Sequence, residues 1–241
     1  MGSGGGKSVF SIKVRPAGRH PPRCRTLGNS LRIFCVLPGG ITAQPAPNPA
    51  GKADAARLDK LRPPDLIDQV TAQEAFNAVS RGGFNDLQTV LAICERHGDY
   101  CVIGGLAVNS YVQPVYTMEA ELVISADTLP AVRADLVAAG FTVHDETWSL
   151  NAQRPGSELR IQFTKNPRYQ GFIAAAVPAK VVGCDARVAA LRDLVTGKTL
   201  AWSDPKRRLS KRKKDEADLI RLAEVFPEVR PMLPETLRRQ L

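Results

Sequence analysis

Cys101-Val-Ile-Gly-Gly-Leu-Ala-Val-Asn109, followed eight residues on by Thr117-Met-Glu-Ala-Glu-Leu-Val-Ile124, decides the fold. Tyr100 to Ile103 is a short apolar run and reads as a buried strand. Gly104-Gly105 breaks it, and Leu106 to Tyr111 reads as a helix. A strand that enters a helix through two glycines leaves backbone N–H groups free at the helix N-terminus, where they and the dipole attract phosphate. In the second segment Glu119 and Glu121 alternate with apolar Ala120, Leu122 and Ile124. Their side chains therefore leave one face of a strand, about 6–7 Å apart.

Two adjacent carboxylates on one face repel each other, and a divalent cation resolves the repulsion. Such a pair beside a phosphate-attracting turn suits metal-assisted nucleotidyl transfer, with Mg²⁺ or Mn²⁺ bridging Glu119, Glu121 and a triphosphate. The competing reading is a solvated edge strand whose glutamates do nothing.

Outward from this centre the chain alternates helical and extended patterns. Upstream, Thr71 to Ser80 spaces Ala72, Ala75, Phe76 and Val79 as a helix, and Asn85 to His97 carries Leu87, Val90, Leu91 and Cys94 on one face before Gly98. Downstream, the spacing predicts a strand over 119–125, a helix over 128–139 stopped by Gly140, and extended segments near 141–150 and 158–164. Ala179 to Val188 reads as a strand or a hairpin, and helices follow over 189–202 and 211–226. The mixture implies an α+β fold, with a mixed sheet, flanking helices and a helical C-terminal part.

Lys206 to Lys214 carries seven cations in nine residues and then gives way to Asp215, Glu216 and Asp218. Alone it reads as a solvated face, a nucleic-acid patch or a localisation signal. Cations at a helix N-terminus oppose the dipole at about 0.3–1 kcal/mol, which a bound anion would reverse. Pairs at i, i+4, Lys211 with Asp215 and Lys214 with Asp218, offset part of that cost.

The ordered series resembles the nucleotidyltransferase superfamily, in particular the AbiEii-type toxins and their relatives. Their glycine turn and T-x-D-x-D strand correspond to Gly104, Gly105, Thr117, Glu119 and Glu121, with glutamate at both aspartate positions. Each extra methylene displaces its carboxylate by roughly an ångström, against the narrow octahedral geometry of Mg²⁺. Members often place a third acid on a neighbouring strand, where this chain offers Gln162, with Glu158 at that strand's start. The family's D-L-x-x-x-K helix, aromatic, D-P turn and S-K-R-x-K-D-x-x-D helix correspond to Asp193, Leu194, Lys198, Trp202, Asp204, Pro205 and the run Ser210 to Asp218.

The resemblance spans roughly residues 85–230. It implies metal binding at Glu119 and Glu121, with Asp215 and Asp218 orienting the cations and assisting chemistry. It implies nucleotide binding at Gly104, Gly105, Thr117, Lys198, Lys211, Arg212 and Lys214. The implied activity is transfer of a nucleoside monophosphate from an NTP to an RNA or protein acceptor, as the toxin of a toxin–antitoxin pair with a cognate antitoxin. Two other readings stand beside it: a family member that binds nucleotide, RNA or a partner without turnover, and an electrostatic RNA binder using Lys206 to Lys214. His144 reads as a surface or satisfied histidine rather than a base, and Trp148 and Trp202 as packing rather than base-stacking platforms.

Composition sets the outer limits. The chain has 241 residues, 44% hydrophobic and 24% charged, with a formal net charge of +9, which excludes wholesale disorder, collagen and coiled coil. Residues 1–62 carry eleven Lys or Arg against two acids, and the remainder balances at 22 against 22. The folded part therefore owes nothing to global charge in attracting nucleic acid. Nine Gly and seven Pro in residues 1–51 predict a disordered basic tail over 1–62, preceding a core at 63–188 and a helical part at 189–241 packed on it. Within the tail, Gly4-Gly5-Gly6-Lys7-Ser8 imitates a P-loop without a preceding strand. Cys24, Cys35, Cys94, Cys101 and Cys184 show no zinc-site spacing, and read as reduced thiols of a cytoplasmic protein. The uncharged runs 33–51 and 100–118 are too broken by Pro, Gly and polar residues to span a membrane.

Overall fold

Tyr100–Ile103 forms strand β1 and Glu119–Ile124 forms β2, antiparallel neighbours with Ile103 opposite Glu121. Between them Gly104–Tyr111 is helix α3, so the glycine pair is both the end of β1 and the first turn of the helix. The computed structural model describes residues 57, 58, 60, 61 and 69–241, within the unit Pro47–Leu241. Two helices precede β1: α1 (Gln69–Ser80) and α2 (Gly83–His97). After β2 come α4 (Leu129–Ala138), β3 (Thr142–Asp145), β4 (Ser149–Gln153), β5 (Arg160–Thr164), β6 (Val177–Val181), β7 (Cys184–Val188), α5 (Leu191–Ser203), α6 (Leu209–Val225) and α7 (Glu235–Arg238). Short 3-10 turns occupy Pro167–Phe172 and Pro227–Met232.

The seven strands make one mixed sheet in the order β3-β4-β5-β2-β1-β7-β6, parallel at β1–β7 and β2–β5 and antiparallel elsewhere. The expected mixed sheet with flanking helices and C-terminal helices is what the chain forms. β2 lies between β5 and β1, so the reading of Glu119 and Glu121 as an idle edge strand is ruled out. The 179–188 segment resolves as the β6–β7 hairpin, turned by Val182 and Gly183, both at positive φ as a two-residue turn requires.

Leu87, Val90, Leu91 and Cys94 of α2 are buried, as their spacing requires, together with Val102, Leu122, Val123, Ile161 and Phe163 of the central strands. In α1 the buried face is Phe76 and Ser80, while Ala75 and Val79, read as core-facing, lie exposed. The Ser80 hydroxyl donates back to the Phe76 carbonyl at 2.6 Å, which lets a polar side chain enter the core. The stretch read as tail up to residue 62 includes Leu58, which is only 5% exposed and belongs to the core. The P-loop imitation, Cys24 and Cys35 lie outside the described residues. Cys94, Cys101 and Cys184 are free and buried, and burial pushes their thiols up to about 12, 12 and 11 respectively. No helix among the described residues is long and apolar enough to cross a membrane.

Candidate functional site

Gly104 stands at φ +68°, a left-handed conformation that L side chains rarely adopt. A Cβ placed there would lie 1.6 Å from Glu121 Oε2, so glycine is required twice, for the backbone and for the carboxylate. Glu121 therefore rests against the first turn of α3, in the field of its N-terminus. Gly105 is less constrained, since a Cβ there would meet Thr117 Oγ1 at 3.4 Å. Thr117 is buried, and its hydroxyl accepts from the Glu119 amide and from Lys214 Nζ, both at 3.3 Å.

The family-like run on α6 works as a helical stripe. Lys211, Lys214, Asp215 and Asp218 follow i, i+3, i+4, i+7 and share the face that meets β2 and α5. Lys211 Nζ reaches both oxygens of Glu119, at 2.6 and 2.7 Å, and Arg160 adds a third contact at 3.1 Å. Burial pushes the Glu119 carboxyl up, but the Lys211 hydrogen bond and the charges of Lys211, Arg160 and Lys214 outweigh it and hold the group below its ordinary range. Lys198 is buried and lies 3.0 Å from Asp215 and 2.7 Å from Asp218. Burial alone would lower the Lys198 pKa; Asp218, Glu121 and Asp215 outweigh that and raise it. Arg207 completes the Asp215 pairing at 2.8 Å, and Arg221 that of Asp218 at 2.9 Å.

Several expectations change here. The i, i+4 pairs do not form, because Asp215 and Asp218 turn to Lys198, Arg207 and Arg221 while Lys211 turns to Glu119. Asp215 is only 2% exposed and orients two cations, Lys198 and Arg207. Arg212 donates its Nε to the Trp202 carbonyl at 2.8 Å, so it closes the C-terminal end of α5. Trp202 is a packing residue as expected, its indole N–H bonded to Glu216 at 3.0 Å. Trp148 is not: it is 66% exposed.

Two clefts meet on this face. One, about 250 Å³, is lined by Gly104, Glu121, Trp148, Tyr169, Lys198 and Arg207 among others. Its neighbour, about 330 Å³, is lined by Glu119, Glu121, His144, Arg160, Arg207 and Lys211 among others. Glu121, Gln162 and Arg207 belong to both. Sequence reasoning missed Arg160, Arg207 and Tyr169. The β5 alternation Arg160-Ile-Gln-Phe-Thr164 would have found Arg160, since it puts that residue opposite Glu119 and Gln162 opposite Glu121. Tyr169 carries no such signal, as it sits in a 3-10 turn where Gly197 of α5 lets it approach: a Cβ on Gly197 would meet its ring at 3.0 Å.

The donor set at Glu119 and Glu121 does not fit the divalent ion expected there. Lys211 and Arg160 already engage Glu119, Gln162 replaces a third acid, and no three His, Cys, Asp or Glu side chains among the described residues group to hold a metal. The positive charge at this point of the sheet belongs to the chain itself.

No protein-family model and no curated protein sequence matches the chain. It is similar to several solved structures. The solution structure of the antibiotic-resistance factor ANT(2'')-Ia is 14% identical over 64% of this chain and 88% of that one, with a TM-score of 0.45. The crystal structure of ANT(2'')-Ia in complex with adenylyl-2''-tobramycin is 14% identical over 65% and 97%, also at 0.45. An antigenic nucleotidyltransferase-like protein from Paracoccidioides brasiliensis is 16% identical over 70% and 84%, at 0.37.

Proposed function

We propose that this chain is a nucleotidyltransferase-like protein that binds a nucleoside triphosphate between β2, α5 and α6 without turning it over. The observation that carries this reading is the clasp of Lys211 on both oxygens of Glu119, which engages one of the two carboxylates expected to hold a metal ion. Lys198, Arg207, Lys211, Lys214 and Arg160 face Glu119, Glu121 and Asp215, a surplus of positive charge that favours a polyanion. Arg160, Arg207 and Lys211, with Lys198, are the cations that line the clefts, and the first three are the more exposed and would meet the phosphates directly. Lys198 stays charged beneath them, and Thr117 fixes Lys214. Gly104 leaves room at the first turn of α3 for the Glu121 carboxylate. No bond is made or broken in this account.

Incubation with each α-labelled NTP, Mg²⁺ or Mn²⁺ and total RNA tests it. The expected result is retained label with none of it covalent, and loss of retention in Lys211→Ala. Covalent label in RNA or in the protein contradicts it.

A second reading, transfer of a nucleoside monophosphate to an RNA or protein acceptor in a toxin–antitoxin pair, is favoured by the two clefts that share Glu121. Donor and acceptor would lie on its two sides. That reading requires covalent label that disappears in Glu121→Ala.

A further inference from the structure

Trp148 lines the 250 Å³ cleft, and at 66% exposure it contributes almost nothing to the core. An exposed indole on a rigid support has large apolar area to offer a ligand at little cost in ordering. Its support is rigid. Trp148 sits in the β3–β4 hairpin, where the Lys165 amide donates to the Trp148 carbonyl at 2.9 Å and the Glu146 amide to the Ser149 carbonyl at 2.8 Å. Lys165 Nζ also reaches the Glu146 carbonyl at 2.7 Å, tying the turn to the end of β5. Tyr169 lines the same cleft, its ring held edge-on to Phe172 at 5.2 Å and admitted by Gly197.

The cleft is aromatic at Trp148 and Tyr169 and amide-lined at Gln162 and Asn166, and it carries the cations Lys198 and Arg207 beside the acids Glu121 and Asp215. A ligand matching that sequence of chemistries has a planar ring carrying hydrogen-bonding edges at one end and phosphates at the other. We infer that Trp148, with Tyr169, is the nucleobase platform of this site. The inference rests on the nucleotide-binding reading above and adds to it the ring that this particular cleft selects. Stacking on an aromatic face tolerates every base, so all four NTPs are expected to use it.

The test uses the fluorescence of the full chain, whose only tryptophans are Trp148 and Trp202. The parent and Trp202→Phe are titrated with each NTP and with inorganic tripolyphosphate, which has charge and no ring. NTPs are expected to quench Trp148 while tripolyphosphate binds without quenching and displaces them. In Trp148→Ala, NTP affinity falls about 5- to 150-fold while tripolyphosphate affinity holds, and Trp148→Phe recovers most of the loss. Equal NTP affinity in parent and Trp148→Ala overturns the platform and leaves the phosphate site standing. Quenching by a single-stranded oligonucleotide but by no free NTP also overturns it, by assigning the ring to an acceptor strand. Failure of both NTP and tripolyphosphate to bind overturns the platform and the nucleotide-binding reading together.

Discussion

Lys211 Nζ holds both carboxylate oxygens of Glu119, at 2.6 and 2.7 Å, across 92 residues of sequence. This pair joins the first turns of α6 to the start of β2, and so links the basic run to the glutamate strand. On the nucleotide-binding reading it stands in place of metal chemistry, the Glu119 carboxylate being clasped by an ammonium and approached by Arg160.

The pair has a pH signature. Glu119 titrates below its ordinary range in the folded chain, so its contribution to stability is present above the unfolded carboxylate range and is lost as pH falls through the depressed folded value. Urea midpoints measured from pH 7 down to pH 3 are expected to fall in the parent and to fall less steeply in Glu119→Gln. Parallel curves would show that the pair contributes nothing to the acid limb.

Lys198 is buried between two carboxylates, and its removal leaves each with one arginine partner. Lys198→Met is expected to lose stability by urea unfolding, but less than the about 3–5 kcal/mol of a buried pair left uncompensated, since Arg207 and Arg221 still face the two acids. Asp218→Asn in the Lys198→Met background should recover part of that loss. A Lys198→Met variant as stable as the parent contradicts the assignment.

Gly104→Ala combines two faults that a double-mutant cycle separates. The single variant meets Glu121 Oε2 and pays for a left-handed alanine, about 1–2 kcal/mol for the backbone alone. In a Glu121→Ala background the collision is gone and only the backbone cost remains, so the two substitutions should be less than additive. Additive thermal shifts would mean that Glu121 does not rest against the turn.

Much of this was legible in the sequence. Apolar runs and helical spacing locate β1, β2, α2, α5 and α6 to within a few residues, because those segments bury one face and their periodicity follows from burial. The Gly-Gly turn was legible for the same reason that it is strained: few other residues could stand at Gly104. What the sequence hid depends on distant partners. The i, i+4 rule assigned Asp215 to Lys211 from local spacing, whereas buried Lys198 competes for that carboxylate with a partner brought in by another helix. Trp148 reads as packing on residue type, and only the hairpin turn carries it out into solvent.

The measurement that bears most directly on the Lys211 clasp is an NTP titration by calorimetry, run in EDTA and again in excess Mg²⁺. The chain's own cations are predicted to suffice, giving saturable binding in EDTA that Mg²⁺ does not strengthen and that Lys211→Ala abolishes. Binding that appears only with Mg²⁺, or that survives Lys211→Ala undiminished, would contradict the account.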